Sequence, residues 1–275
     1  MAKTNLMQRV LAASVFGPVL LVLFWLGGWV LLSSWCVIVA LGVREFYHML
    51  AHKGLKPWMR SGMVASVFWC VIVHIYGADA YLPVFTGLLL LGLSLSLFRG
   101  QTGSRLFNVS ATLLGVIYVG FLGSFVPLVR NLPLSQWDES VMAPLAALVL
   151  IGVWANDTAA YFSGRWFGHW HPFPNISPSK TEAGFIGGLT ATLAVISVET
   201  WGFQVLPLKD SIGLGLVVGI GAPLGDLVES MIKRDMGVKD TSTLIPGHGG
   251  VLDRFDSIFF VFPLVYLYLQ LAKTF

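Results

Sequence analysis

Residues 211–232 read SIGLGLVVGIGAPLGDLVESMI, and this stretch decides the fold class. No charged side chain occurs in it before Asp226, and Glu229 follows within one helical turn. An apolar run of about 20 residues is long enough for a helix to cross the hydrocarbon core of a bilayer. We therefore predict a membrane-spanning helix that carries two carboxylates near one end.

The composition of the whole chain agrees with a membrane environment. Of its 275 residues, 56% are hydrophobic and 11% are charged, whereas about 25% of the residues in an ordinary soluble domain are charged. The mean hydropathy of +0.77 leaves too little polar surface to cover a water-soluble core of this size. A soluble globular enzyme is therefore excluded, and the net charge of +3, without any run of basic residues, argues against nucleic-acid binding.

Further apolar runs lie on either side of this helix, each bounded by charges or turn residues. The predicted spans cover residues 10–26, 29–43, 61–77, 81–98, 106–129, 141–161, 183–205, 211–232 and 257–272. No internal repeat or linker separates them. We therefore predict an all-α integral membrane protein with about nine transmembrane helices in a single polytopic domain, residues 1–275, whose catalytic half is about 141–275.

Lysine and arginine are distributed unevenly between the loops of this topology. When the loops are assigned alternately to the two sides, 14 of the 17 basic residues fall on one side, and Arg130, Lys209 and Lys273 fall on the other. By the positive-inside rule the basic side is cytoplasmic. We therefore predict a multi-pass protein of the cytoplasmic membrane, with its N-terminus, its active site and its two longest polar loops, 162–182 and 233–254, facing the cytoplasm.

The end of the 211–232 helix carries a cluster of ionisable side chains. Its members Asp226, Glu229, Ser230 and Lys233 recur at helical spacing and share one face. A carboxylate at membrane depth costs at least about 2.5–3.5 kcal/mol, so it needs a partner, a cation or a water-filled cavity. Pairing within the helix would explain part of the cluster, but intramembrane ionisable residues usually mark a functional site.

The loop after this helix is rich in charge and glycine. Its charged residues before the glycine turn are Lys233, Arg234, Lys239 and Asp240. The turn itself is PGHGG at 246–250, and backbone N–H groups in such a turn can cradle an anion that lysine and arginine neutralise. We expect His248 to donate a hydrogen bond to phosphate or backbone rather than to act as a base. The loop therefore predicts phosphate binding.

Two aspartates follow the glycine turn at the start of the last span. Asp253 and Asp256 are three residues apart, and hard oxygen ligands of this kind suit Mg²⁺ that bridges to substrate phosphates. Acidic residues also cap helix N-termini, which would explain one of the two aspartates without a metal.

A second group of polar residues lies around the 162–182 loop. Asn156, Asp157 and Tyr161 end the predicted span before the loop, and Ser177 and Lys180 come just before the next span. Lys180 stands among hydroxyl residues that suit phosphate contact. Because this loop and the 233–254 loop are assigned to the same side of the membrane, we expect the two loops to form one site.

Several familiar sites are missing from the sequence. It has no P-loop, no Gly-x-Ser-x-Gly, no His-Glu-x-x-His and no Cys-x-x-Cys, which argues against the commonest ATPases, hydrolases, metalloproteases and thiol enzymes. The glycines from Gly213 to Gly225 lie inside a span, where close helix packing explains them better than dinucleotide binding. An ion-coupled transporter of an anionic substrate remains an alternative, because buried carboxylates also couple ions.

Together these motifs resemble the signature of CDP-diacylglycerol synthases, also called phosphatidate cytidylyltransferases. The matching stretch consists of SMIKR at 230–234, KD at 239–240, PGHGG at 246–250 and DRFD at 253–256. Supporting matches lie at 156–161, 177–181 and 225–230, so that the resemblance covers the C-terminal half, and the N-terminal half matches only as generic spans. The pair Glu182–Ala183 departs from the family pattern, which more often has an aromatic residue and a small or acidic one there.

The resemblance implies that the protein transfers CMP from CTP to phosphatidic acid in the membrane. It implies Mg²⁺, with or without a second cation, bound by Asp226, Asp253 and Asp256, and a homodimer. The expected catalytic residues are Asp226, Asp253, Lys239 and Lys233. The expected substrate contacts are Lys180, Ser177, Arg234, Asp240, His248, Gly249, Gly250, Arg254, Asn156, Asp157, Tyr161 and Ser230. A CTP-dependent kinase or cytidylyltransferase that acts on another lipid phosphate or alcohol is the nearest alternative.

Overall fold

The described part of the chain is helical. The computed structural model describes residues 14, 16–98, 104–132, 139–203, 206–242, 244 and 249–272. The helices are α1 (Phe16–Leu26), α2 (Gly28–Ala51), α3 (Met59–Tyr76), α4 (Tyr81–Phe98), α5 (Arg105–Gly115), α6 (Leu122–Arg130), α7 (Glu139–Phe167), α8 (Glu182–Phe203), α9 (Leu208–Met236) and α10 (Leu252–Ala272). No β-strand occurs among these residues, which confirms the predicted all-α fold class.

Six helical segments in the described residues are long and apolar enough to cross a membrane. The number is lower than nine because α3 and α4, joined by a 3₁₀ turn at Gly77–Ala80, form one helical stretch of 40 residues. In addition, α1 and the apolar part of α8 are shorter than 18 residues. Each of the nine apolar runs of the sequence nevertheless coincides with helix in the described residues, and a π-helical turn, Val116–Phe121, joins α5 to α6.

The chain forms two compact units. The first consists of Met1–Asn131 and Asp235–Phe255, and the second of Leu132–Arg234 and Asp256–Phe275. The first unit therefore holds α1 to α6 together with most of the 233–254 loop and the first turn of α10. The second unit holds α7, α8, most of α9 and the rest of α10. The predicted single domain remains a prediction.

The first unit is built around buried aromatic side chains of α2. The indole N–H of Trp35 donates to the carbonyl of Gly123 at 2.7 Å, and the hydroxyl of Tyr47 donates to the carbonyl of Thr112 at 2.6 Å. Both aromatic residues are fully buried, so the hydrogen bonds satisfy polar atoms that have no access to water. These contacts fix α2 against α5 and α6.

Glycine contacts bring the helices of the second unit close together. A Cβ on Gly219 of α9 would lie 2.6 Å from Leu189 of α8, and one on Gly225 would lie 2.9 Å from the Cα of Ser257 on α10. Similar approaches join α7 to α8, and the order of the contacts makes successive helices antiparallel. The packing interpretation of the glycines between 213 and 225 is thereby confirmed.

Candidate active site

The end of α9 carries an ion pair that links it to the loop before α8. Lys180 Nζ lies 2.8 Å from Asp226 Oδ2 and donates to the carbonyl of Pro223 at 3.2 Å. Ser230 donates to Asp226 Oδ1 at 3.2 Å. The structure thus brings together three residues that the sequence analysis assigned to the site, two of them 46 positions apart in the chain.

Asp256 joins this group through the contact between α9 and α10. Because Gly225 packs against the backbone of Asp256 and Ser257, the two helices meet without an intervening side chain at the position of Asp226. The carboxylates of Asp226 and Asp256 interact electrostatically there, and Lys233 acts on Asp256 as well. Ser257 strengthens the contact by donating through its hydroxyl to the carbonyl of Ala222 at 3.0 Å.

One turn further along α9, Lys233 pairs with a fully buried carboxylate. Its Nζ lies 2.6 Å from Oε2 of Glu229, whose side chain has no exposed surface. Together with the bond between Ser230 and Asp226, this pair confirms that the four polar residues at the end of the helix share one face. The pairing expected of a helix end is therefore present. We call Lys180, Asp226, Glu229, Lys233 and Asp256 the α9 cluster.

The charges of the α9 cluster fit a bound cation. Three carboxylates face two ammonium groups, and Asp256 lies within hydrogen-bonding reach of Glu229 as well as close to Asp226, so the carboxylates need a shared proton or a further cation between them. Among the described residues, no group of three or more His, Cys, Asp or Glu is arranged to hold a metal ion. Mg²⁺ usually binds through one or two carboxylates together with substrate phosphates, and the pair Asp226 and Asp256 offers that donor set.

The loop between α7 and α8 is held in place by its own hydrogen bonds. Glu182 accepts from the backbone N–H of His169 at 3.2 Å and of Trp170 at 2.8 Å, which closes the loop at its base. Within the loop, the carbonyl of Ile176 accepts a hydrogen bond from Arg234 Nε of α9 at 3.2 Å. Glu182, which departs from the family pattern, therefore stabilises the loop that carries Ser177 and Lys180.

Three predicted substrate contacts lie on α7 and make other interactions. Asn156 is buried, and its amide donates to Thr192 and to the carbonyl of Gly219, both at 3.1 Å. It therefore contributes to the packing of α7, α8 and α9. Asp157 and Tyr161 are exposed, and the Tyr161 hydroxyl accepts from Arg165 at 3.1 Å. Their assignment to substrate remains a prediction.

In the first unit, Asp253 holds the turn before α10. Its Oδ2 accepts from the backbone N–H of Thr241 at 2.9 Å, from the Thr241 hydroxyl at 2.8 Å and from the N–H of Gly250 at 2.7 Å. All three donors come from residues that precede α10, so these hydrogen bonds hold the turn before the helix and do not show the helix-capping role considered for one of the two aspartates. Metal binding by Asp253 remains a prediction.

The same turn depends on a carboxylate that the sequence analysis did not consider. Glu45 of α2 is only 5% exposed, and it accepts from Thr241, Ser242, Val251 and Leu252. An acidic residue at the end of the apolar run 29–43 was the available signal. It was not recognised because every partner of Glu45 lies about 200 residues away in the sequence.

The remaining predicted residues of the 233–254 loop are mostly on its surface. Lys239, Asp240 and Arg254 are exposed. Gly249 has φ +80, a left-handed conformation that favours glycine, whereas Gly250 is buried beside Glu45. The predicted contact of His248 lies outside the described residues.

The comparisons with known proteins agree with this chemistry. Residues 7–272 match the model of the cytidylyltransferase family. The chain belongs to this family. It is 35% identical to a phosphatidate cytidylyltransferase of Synechocystis, with 96% of each chain covered. It is 32% identical to the Brucella suis protein of that name, covering 96% of this chain and 93% of the relative, and 32% identical to phosphatidate cytidylyltransferase 4 of Arabidopsis thaliana, covering 89% and 68%.

Membership of the cytidylyltransferase family extends the resemblance beyond the C-terminal half. The matched region begins near the N-terminus and includes α1 to α6, which the sequence analysis treated as generic spans. Glu45, which holds the turn before α10, lies within this added part.

We expect Asp226→Asn to abolish most of the activity while the protein stays folded. The substitution removes the negative charge that pairs with Lys180 and interacts with Asp256. Turnover should fall by at least about 100-fold, the scale on which enzymes lose rate when a group that organises transition-state charge is removed. The measurement is turnover at saturating substrates and limiting Mg²⁺. Asp210→Asn, in the first turn of the same helix, is the matched control and should keep normal turnover; near-normal turnover of Asp226→Asn would contradict the role.

Proposed function

We infer that the protein transfers CMP from CTP to phosphatidic acid, giving CDP-diacylglycerol and pyrophosphate for phospholipid synthesis. The observation that carries this inference is the match of nearly the whole chain to the cytidylyltransferase family and to relatives named phosphatidate cytidylyltransferase in bacteria and plants. This match favours a nucleotidyltransferase over the two alternatives considered above, an ion-coupled transporter and a CTP-dependent lipid kinase. The apolar helices agree with a lipid substrate that stays in the membrane.

The reaction brings together two anions. An oxygen of the phosphatidate phosphate attacks the α-phosphorus of CTP, a new P–O bond forms, and the bond to the β-phosphate oxygen breaks, so that pyrophosphate leaves. The main tasks of the protein are therefore to hold the two phosphates together and to neutralise their charge. Lys180, Lys233, Arg234 and Lys239 are the cations proposed for this purpose, in keeping with the preference of phosphate for charge-assisted hydrogen bonds.

The attacking phosphate does not need a dedicated base. A phosphate monoester has a second pKa near 6 and is largely ionised at neutral pH. The proposed role of His248 is therefore hydrogen bonding to phosphate or backbone. Asp240, Arg254, Gly249 and Gly250 are proposed to shape the same phosphate site.

We propose that Asp226 and Asp256 hold Mg²⁺. The charge of the α9 cluster and the oxygen donors of these two residues support the proposal, and Asp253 stays a predicted ligand on the family resemblance alone. When bound, the metal would supply positive charge to the phosphates during transfer. Lys180 pairs with Asp226, one of the two proposed ligands, and Lys233 pairs with the neighbouring Glu229.

The proposed topology has nine crossings, with the N-terminus and the two polar loops in the cytoplasm, where CTP is available. A helical stretch of 40 residues spans about 60 Å, twice the thickness of the hydrocarbon core. Met59–Phe98 is therefore long enough for two crossings, and Gly77, with φ +69, interrupts the regular helix between α3 and α4. Both observations support the proposed topology.

The topology predicts that a cysteine at exposed Asp235 reacts with an impermeant reagent only after the cytoplasmic side of the membrane is opened. Labelling of this cysteine in intact cells would contradict the topology.

The proposed oligomeric state is a homodimer, and the proposed organisation is one polytopic domain. The homodimer rests on the family resemblance. Its test is the mass of the protein in detergent, corrected for bound detergent. A mass of one chain at concentrations that support activity would refute the dimer.

The function is tested with purified protein, phosphatidate and CTP labelled at the α-phosphate. The expected products are a lipid that carries the label and pyrophosphate in equal amounts. If CTP labelled at the γ-phosphate transferred its label to lipid instead, the protein would be a lipid kinase. Label that stays entirely in CTP, with active controls for both substrates, would overturn the proposed function.

Lys239 provides a sharper prediction about CTP. If the exposed side chain of Lys239 binds the triphosphate of CTP, Lys239→Ala should raise the KM for CTP more than the KM for phosphatidate. The loss should be about 2–3 kcal/mol in kcat/KM for CTP, as expected for a charge-assisted hydrogen bond. Lys209→Ala, at an exposed position in the first turn of α9, is the matched control. If Lys239→Ala and Lys209→Ala had equal effects on kcat/KM for CTP, Lys239 would not contact CTP and would be a solvated charge that only contributes to the topology.

A further inference from the structure

We propose that Glu45 is a positioning residue for the phosphate-binding loop, by which we mean residues 241–252 of the 233–254 loop. It holds the two ends of this segment, 241–242 and 251–252, together. The proposal rests on the proposed function, because that function assigns phosphate contacts to this loop. Glu45 lies on α2, far from the loop in sequence, and has no role in the family resemblance stated above. Its evidence is a set of four donors within hydrogen-bonding distance of the Glu45 carboxylate, one of which, the Thr241 hydroxyl, is shared with Asp253.

The four donors come in two pairs from opposite ends of the loop. Thr241 Oγ1 at 3.2 Å and Ser242 Oγ at 2.6 Å lie at the first end. The backbone N–H groups of Val251 at 3.0 Å and Leu252 at 2.8 Å lie at the second. One carboxylate therefore closes the loop that contains the glycine turn.

Each oxygen of Glu45 takes one hydroxyl and one backbone N–H. Oε1 accepts from Ser242 and Val251, and Oε2 accepts from Thr241 and Leu252. Both oxygens of the Glu45 carboxylate therefore accept from uncharged donors, and neither of the two ion pairs found in the described residues includes Glu45. A buried carboxylate needs such donors to offset its lost hydration.

Two further contacts tie the carboxylate to the residues that the sequence analysis assigned to the site. A Cβ on Gly250 would lie 2.5 Å from Glu45 Oε2, so the backbone of Gly250 lies directly against the Glu45 carboxylate. The Thr241 hydroxyl has a single proton and lies 3.2 Å from Glu45 Oε2 and 2.8 Å from Asp253 Oδ2, so the two carboxylates share this donor, and the backbone N–H of Thr241 donates to Asp253 as well. Leu252 begins α10 and Val251 directly precedes it, so the negative charge of Glu45 also interacts favourably with the positive end of the helix dipole.

The contacts predict a specific failure for the isosteric change Glu45→Gln. An amide has one acceptor oxygen, and its NH₂ group can only donate. Whichever way the amide turns, the N–H of Val251 or of Leu252 faces another donor. The ends of the loop should then separate part of the time, and CTP has to bind the fraction that remains closed. The apparent affinity for CTP falls in proportion to that fraction.

The test compares Glu45→Gln with Tyr47→Phe. Tyr47 lies two residues away on the same helix, is equally buried, and donates a hydrogen bond to Thr112 of α5 rather than to the loop. Both substitutions remove buried polar contacts, so a general loss of stability should affect both. Ser242→Ala removes only one of the four donors and should act like Glu45→Gln but more weakly; it replaces Glu45→Gln if that variant does not fold.

Two measurements are needed on the full-length protein in detergent. Glu45→Gln should raise the KM for CTP about tenfold, corresponding to a closed fraction of about one tenth, with the KM for phosphatidate within about twofold. Amide hydrogen exchange should accelerate in peptides covering 238–252. Tyr47→Phe should change neither. Unchanged exchange in 238–252, or equal losses for both substrates, overturns the proposal. Since exchange does not depend on turnover, it tests Glu45 even if the proposed reaction fails.

Discussion

The contact between α9 and α10 at Gly225 is the interaction on which the candidate site depends. A side chain larger than hydrogen at this position would meet the backbone of Asp256 and Ser257 at 2.9 Å. Because no side chain separates the helices there, the carboxylates of Asp226 and Asp256 act on each other, although the Asp226 side chain is 37% exposed. Like charges held together in this way require cations, and Lys180 and Lys233 supply two of them.

A glutamate fixes each of the two polar loops through hydrogen bonds. Glu182 accepts from two backbone N–H groups of the loop between α7 and α8, and Glu45 accepts from both ends of the loop before α10. A carboxylate can hold several N–H groups at once, so it can order a short polar loop that has little apolar surface to bury. Among the cations proposed to contact phosphate, Arg234 and Lys239 are exposed, whereas Lys180 and Lys233 are half-buried in ion pairs with Asp226 and Glu229.

Much of this arrangement could be predicted from the sequence. The helix that carries Asp226, Glu229, Ser230 and Lys233 was identified from its apolar run and its helical spacing, because both signals are local. The sequence also predicted that Lys180 and Asp226 belong to one site, but it did not predict that they form an ion pair. The structure supplied the pairing itself and the close approach at Gly225.

Other features could not be predicted because they depend on contacts between distant segments. Glu45 and Asn156 both lie at the ends of apolar runs, and nothing in their local sequence shows that one holds a loop while the other packs between helices. The number of spans was also difficult to predict, because the short helix α1 and the 40-residue stretch Met59–Phe98, which a 3₁₀ turn interrupts, differ from ordinary spans in length and not in composition.

Binding of Mn²⁺ as a substitute for Mg²⁺, followed by electron paramagnetic resonance, tests most directly the claim that Asp226 and Asp256 hold a divalent cation. Carboxylate sites accept both metals. The protein in detergent should bind Mn²⁺ at least about tenfold more weakly when either aspartate is changed to asparagine, as expected for the loss of a charged ligand. Asp210→Asn should bind like the unaltered protein. Equal Mn²⁺ affinity in all four proteins would contradict the account.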